Sequence, residues 1–224
     1  MRGIKKKIRN NRFLSWTLIA SNWLFQGIPY ADKTEQLYKI SFTLFFTTIF
    51  FLIFYCNAVF GLIHSFLLSL FVAHSVNWYV NGNFYVLLIH RLRFAKLSKV
   101  KLFVYFDGLQ QRLGKQNWIL YCASFGSICR GQLKEYSDID MSIVRKSGFL
   151  NGIKALFFSV VEKKRADWLR VPLELYINDN PDSSKKRFNA ENNPVVLCDP
   201  YGTISKHYSE RLTVAEAKQL NGVL

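Results

Sequence analysis

The stretch FGSICRGQLKEYSDIDMSIV, residues 125–144, decides how the rest of the chain is read. It begins where an apolar, aromatic-rich run of strand type (WILYCAS, 118–124) gives way to Gly126–Ser127, and a helical segment is expected next. Glycine lets the backbone approach a ligand closely, and the amides at a helix N-terminus attract phosphate. Asp138 follows eleven residues after Ser127, then Ile139 and Asp140, inside a second expected strand over 139–144. Strand alternation puts Asp138 and Asp140 on one sheet face and Ile139 on the other. Two carboxylates held side by side repel each other unless a cation lies between them, and hard divalent ions such as Mg²⁺ suit carboxylate oxygens. A phosphate cradle beside a carboxylate pair is the equipment for in-line, metal-assisted phosphoryl or nucleotidyl transfer. The bland alternative is a solvated acidic strand edge next to an unrelated glycine turn.

Outward from this stretch, helices and strands alternate. Residues 103–115 are expected to be helical. So are residues 149–167, with Leu150, Ile153, Leu156, Phe157, Val160 and Val161 on one face and Lys154, Glu162, Lys163 and Arg165 mostly off it. A third strand is expected over 171–177 (VPLELYI), then a polar, loop-rich stretch over 178–193. The run VVLCD, 195–199, is expected to be a final short strand before a Pro-Tyr-Gly turn. Interleaving of this kind implies a mixed α/β sheet. No internal repeat is visible.

The N-terminal half is different. The chain is half hydrophobic, with 20 Phe, 11 Tyr and 5 Trp, yet its formal charge is +15. Residues 1–39 hold eight Lys/Arg against Asp32 and Glu35, while residues 40–89 hold no charged side chain at all. Arg91, Arg93, Lys96, Lys99 and Lys101 follow, and the remaining chain is only mildly basic. Positive charge thus brackets an apolar run, as the anionic cytoplasmic leaflet of a membrane selects; a nucleic-acid footprint would be a patch on the folded domain. Fifty uncharged residues leave room for two membrane helices, near 40–55 or 60 and 62–80, broken at CNAVFG (56–61). Both basic ends then face the cytoplasm, with Trp78, Tyr79, Phe84 and Tyr85 at headgroup level. A buried helical hairpin in a soluble protein is the competing reading. Residues 12–30 form an amphipathic helix that lies on the membrane or packs on the domain. His74, Asn77 and Asn81 share one helical stripe, touching a lipid-linked substrate or hydrogen-bonding between helices.

The motif in residues 125–144 resembles that of the DNA polymerase β-like nucleotidyltransferase superfamily, and within it the minimal nucleotidyltransferase group. That pattern runs Phe-Gly-Ser, two residues, Arg-Gly, five residues, Ser-Asp-Ile-Asp; here Phe125, Gly126, Ser127, Arg130, Gly131, Ser137, Asp138, Ile139 and Asp140 occupy the matching positions. The resemblance covers about half the chain and implies an α/β (α+β) fold, a small mixed-sheet nucleotidyltransferase domain, here preceded by an all-α transmembrane hairpin. The expected divisions are 1–39 basic and amphipathic, 40–89 hairpin, 90–101 juxtamembrane and 102–224 catalytic. The family also implies a third carboxylate on a neighbouring strand, for which Glu174 is the candidate and Asp179 the fallback. Asp138, Asp140 and Glu174 would then be the catalytic and metal-holding residues, taking Mg²⁺ or Mn²⁺. Gly126, Ser127, Arg130 and Ser137 would serve the nucleotide phosphates, with a helix-surface ion pair the other reading of Arg130. The segment DPYG, 199–202, resembles the family's late hairpin or is an ordinary turn.

The function expected from these residues is transfer of an NMP from an NTP to an acceptor at the cytoplasmic membrane face, the acceptor a lipid or lipid-linked sugar. The competing enzyme reading is a toxin–antitoxin-type nucleotidyltransferase acting on tRNA or protein; the non-enzyme reading is an inactive nucleotide-sensing membrane scaffold. The expected location is a multi-pass cell-membrane protein with a cytoplasmic catalytic domain, and the hairpin offers a surface for homo-oligomers. Cys56, Cys122, Cys129 and Cys198 include no CxxC pair and no histidine at ligand spacing, and are read as apolar fillers. A Ser-His-Asp site is set aside, since His64, His74 and His90 lie in or beside the apolar run, leaving only His207.

Overall fold

Two units make up the chain, one over 1–87 and one over 88–224. The computed structural model describes residues 12–57, 60–92, 96–188 and 193–223.

The first unit is helical: α1 (Arg12–Phe25), α2 (Lys33–Cys56) and α3 (Leu62–Asn81), with α4 (Phe84–Leu92) running out of it. Helix α2 has 24 residues, about 36 Å at 1.5 Å per residue, and is long and apolar enough to cross a membrane. Among the described residues it is the one helix that is. Helix α3, expected to be a second span, lacks charge but carries His64, Ser65, Ser69, His74, Ser75, Asn77 and Asn81 within its 20 residues, so freedom from charge overstated its apolarity. Ser65, Ser69, Ala73, Asn77 and Asn81 recur every four residues and are all buried, and this stripe of small and polar side chains lets α3 approach α2. Asn77 Nδ2 donates to Lys39 O at 2.9 Å and to Thr43 Oγ1 at 2.7 Å, and Asn81 Nδ2 donates to Asn77 Oδ1. His74 Nε2 pairs with Trp23 O at 2.9 Å. The polar stripe therefore bonds within the helical unit. The same contacts place α1 on α3, where Trp78 Nε1 also donates to Asn22 Oδ1.

The second unit is mixed α+β, with α5 (Lys99–Gly114), β1 (Ile119–Phe125), β2 (Ile139–Arg145), α6 (Phe149–Trp168), β3 (Leu173–Asn178), α7 (Pro181–Arg187), β4 (Val195–Cys198), β5 (Leu212–Thr213) and α8 (Val214–Leu220). The sheet order is β3-β2-β1-β4-β5. Strand β1 is antiparallel to β2 and β4, while β2–β3 and β4–β5 are parallel pairs. Side-chain alternation divides the sheet into two faces. Ile139, Met141, Ile143, Leu173, Leu175 and Ile177 join the larger core beneath α5, α6 and α8. Tyr121, Ala123, Phe125 and Val144 join a smaller cluster with Phe188, Ile204 and Tyr208 on the opposite face.

Three features depart from expectation. Residues 181–187, expected within a loop, form α7: Asn180 caps it by accepting from Ser183 N, Pro181 opens it, and Lys185, Lys186 and Arg187 end it. Strand β5 and α8 were not anticipated, although Thr213 and Glu216 make a reciprocal capping box. Helix α6 is turned the other way round: it buries Gly152, Ala155, Ser159, Glu162, Lys163 and Ala166, and leaves Leu150, Ile153 and Phe157 exposed. The buried Glu162 is accommodated by basic partners. It accepts from Arg112 through both oxygens at 2.8 Å and from Arg165 at 3.0 Å, so its charge is compensated inside.

Candidate active site

Strand pairing brings the acidic residues together. Asp140 and Glu174 are direct partners in the parallel β2–β3 ladder, so their side chains leave the same sheet face on neighbouring strands. Asp138 lies just before β2, two residues from Asp140, close enough for its charge to act on Asp140. The proximity is felt electrostatically. Burial first, then the negative charges of Asp138 and Glu174, push the Asp140 carboxyl from its ordinary 3.8 up to about 7, while Arg187 opposes the shift.

Gly126, at the end of β1, approaches Asp140 closely. Its φ of +86° suits glycine, and a methyl group built on it would stand 3.2 Å from Asp140 Oδ2. The helical segment that follows is a short one, a five-residue 3₁₀ helix over Gly126–Arg130. Ser127 is half-buried on this turn, and Arg130 at its end is exposed. Gly131 is demanded by packing: φ is +65°, and a Cβ there would meet Leu220 O at 2.7 Å. Ser137 Oγ accepts from Lys134 N at 2.9 Å, which gives it a turn-forming role ahead of Asp138. Phe125 stacks on Phe188 at 4.5 Å between ring centres.

The fallback carboxylate is elsewhere. Asp179, past the far end of β3, is ion-paired with Arg145 at 2.8 Å, which leaves Glu174 as the acid beside Asp140. Asp199 accepts from Thr203 N and Ile204 N, so the 199–202 segment is a turn that caps a short 3₁₀ helix.

Two site residues escaped the sequence reading. Tyr176, two residues after Glu174 and hence on the same face, donates its hydroxyl to Glu174 Oε2. Burial and the Glu174 charge hold the Tyr176 phenol above its ordinary range, so it stays a donor. Arg187 lies over the Tyr176 ring, 4.3 Å from its centre, and its Nη1 is enclosed with no hydrogen-bond partner among the described residues. Its position is built from below. Ser184, one helical turn earlier, shares a 2.7 Å hydrogen bond with Ser142 of β2, and Asn178 of β3 donates to the same Ser142 oxygen. The pattern Asn180-Pro181 would have marked the helix that carries Arg187, and alternation would have placed Tyr176 beside Glu174.

Among the described residues no group of three or more His, Cys, Asp or Glu side chains is gathered tightly enough to hold a metal ion as it stands. By chemistry the donor set still fits a hard cation: Asp140 and Glu174 are partners on one face, and the charges of Asp138 and Glu174 add to burial in raising Asp140. Comparison with known proteins finds no matching family model, no matching curated protein and no matching solved structure.

Proposed function

We propose that the chain is a membrane-anchored nucleotidyltransferase that moves a nucleoside monophosphate from an NTP to an acceptor at the cytoplasmic membrane face. The observation that carries this reading is the Asp140 environment: a carboxyl pushed to about 7 by burial and two acidic neighbours, facing a glycine turn of matching motif. Such a site is short of positive charge, and a nucleoside triphosphate bound with divalent metal supplies it. Asp138, Asp140 and Glu174 would hold Mg²⁺ or Mn²⁺, whose chemistry is to bridge phosphate oxygens and acidify an acceptor hydroxyl. The amides of Gly126–Arg130 and the Ser127 hydroxyl would take the β- and γ-phosphates. Arg187, stacked and with an open donor, would neutralise charge on the phosphates next to the carboxylates.

The anchor is α2. We propose that α3 crosses beside it, because the polar stripe of α3 is turned onto α2 while Leu62, Ile63, Phe66, Leu67 and Phe71 remain exposed for lipid. An anchored enzyme meets a lipid or lipid-linked acceptor in two dimensions, which favours that acceptor class over tRNA or protein. The bond between Tyr176 and Glu174 favours one second reading, an inactive nucleotide-binding scaffold.

The test uses the full chain in lipid nanodiscs, supplied with NTPs, Mg²⁺, membrane lipid extract and total RNA. Pyrophosphate release with label passing to lipid, lost in Asp138→Ala/Asp140→Ala, is the expected outcome. Label in RNA or protein would establish the competing acceptor class, and NTP binding without turnover in the parent chain would establish the scaffold.

A further inference from the structure

The outward face of α6 carries a row of exposed apolar side chains that the catalytic reading leaves unused. Leu150 and Ile153 are 69% and 49% exposed, and Phe149 and Phe157 are 79% and 72% exposed. Spacings of three and four residues place them on one stripe along the helix. At its C-terminal end stand Trp168, 88% exposed, and Leu169, across a cleft of about 360 Å³ from Val100 and Val104 of α5. A soluble surface seldom leaves this many large apolar side chains contiguous without an occupant.

The charges around the stripe identify the occupant. Every acid on α5 and α6 is already matched: Asp107 with Lys218, Glu162 with Arg112 and Arg165, and Asp167 with Lys164. Lys101 and Arg170 line the cleft, and Lys154 lies on the stripe between Leu150 and Phe157; all three are exposed. Arg170 is held at φ +59°, a left-handed conformation unusual for a side chain of its size. The face is therefore apolar and aromatic, and Lys101, Lys154 and Arg170 on its rim form no ion pair among the described residues, the composition that beds into the interface of an anionic bilayer. A second copy fits less well, because a two-fold contact over Lys154 would bring like charges together.

We propose that this face docks the second unit onto an anionic membrane surface, with Phe149, Leu150, Ile153, Phe157 and Trp168 in the headgroup layer and Lys101, Lys154 and Arg170 on anionic headgroups. This rests on the membrane placement proposed above but not on nucleotidyl transfer.

The test compares the full chain with Trp168→Phe in nanodiscs that contain brominated lipid, so that the difference isolates the Trp168 emission. In discs containing phosphatidylglycerol, Trp168 emission is blue-shifted and most of it is quenched; in phosphatidylcholine discs it is neither. Lys101→Glu/Lys154→Glu/Arg170→Glu abolishes the quenching, and so does Val104→Asp, which leaves the rim cations in place. Asp138→Ala retains it, so this readout stands or falls apart from catalysis. Equal quenching in neutral discs, none in either, or survival in the triple variant overturns the proposal. So does dependence on the number of chains per disc, which would indicate a second copy, or the same blue shift in neutral discs given glycerol phosphate, which would indicate a soluble anion.

Discussion

Replacing Asp140 by Asn is expected to stabilise the metal-free second unit while destroying its chemistry. The Asp140 carboxyl is raised from 3.8 to about 7 by burial, Asp138 and Glu174, against the opposing Arg187. A folded-state value above the unfolded one means that the folded chain binds the proton more tightly. Stability is then greatest below the unfolded value and is lost as pH rises from about 4 to 7, remaining lower above that range. A shift of about three units corresponds to at most about 4 kcal/mol at pH 8, and to about 2 kcal/mol at pH 5. Asn cannot ionise, so the variant escapes the penalty. The assay is amide hydrogen exchange of β2, Ile139–Arg145, in the full chain with chelator present, corrected for the intrinsic pH dependence of exchange. At pH 8 the variant should exchange up to about a thousandfold more slowly than the parent, and the gap should narrow at pH 5. Adding Mg²⁺ at pH 8 should slow exchange in the parent and leave the variant unchanged. Exchange in the variant as fast as the parent's at pH 8, or a gap independent of pH, would refute the raised Asp140 carboxyl, the product of burial and of its acidic neighbours, from which the site is inferred.

Other consequences follow from single contacts. Arg187→Lys keeps the charge but loses the stack on Tyr176 and the forked donor, and should weaken NTP binding by about 1.5–3 kcal/mol, roughly ten- to hundredfold, in a titration with a fluorescent nucleotide. Gly126→Ala should cost about 1–3 kcal/mol of stability through its positive φ, crowd Asp140 Oδ2 and abolish turnover, read by parallel thermal unfolding and activity measurements. Asn77→Ala removes the donor to Lys39 O and Thr43 Oγ1 and should destabilise the α2–α3 pair by about 1–2 kcal/mol, measured as a lower dodecyl sulfate midpoint with catalysis retained.

The Asp138–Asp140 pair was legible because the two residues lie close in sequence, while Glu174 is brought in by strand pairing. Alternation at 138–140 paired Asp138 with Asp140, and the third carboxylate that the family resemblance implies pointed to Glu174, the one acid in VPLELYI, which pairs with Asp140 in the ladder. Arg187 was not legible from the polar composition of 178–193; the cap at Asn180 and Pro181 carried the signal, and polarity masked it. Helix α6 failed for a different reason. Its large apolar residues and its small residues with Glu162 both recur at helical spacing, and periodicity alone does not say which stripe meets the core. The buried stripe is tolerated because Arg112, fifty residues away in sequence, neutralises Glu162 inside, which periodicity cannot show. In the first unit, absence of charge was taken for apolarity, yet serine, histidine and asparagine make α3 a helix that needs α2 to satisfy it.

The most direct measurement follows the label through the reaction. The full chain in nanodiscs with Mg²⁺ and membrane lipid is given an NTP labelled at the α-phosphate, and separately the same NTP labelled at the γ-phosphate, with Asp138→Ala alongside. The account predicts α-label in the lipid-extractable acceptor and γ-label leaving as pyrophosphate, both only when Asp138 is intact. Transfer of the γ-label to the acceptor, release of γ-label as inorganic phosphate alone, or transfer that persists in Asp138→Ala would contradict it.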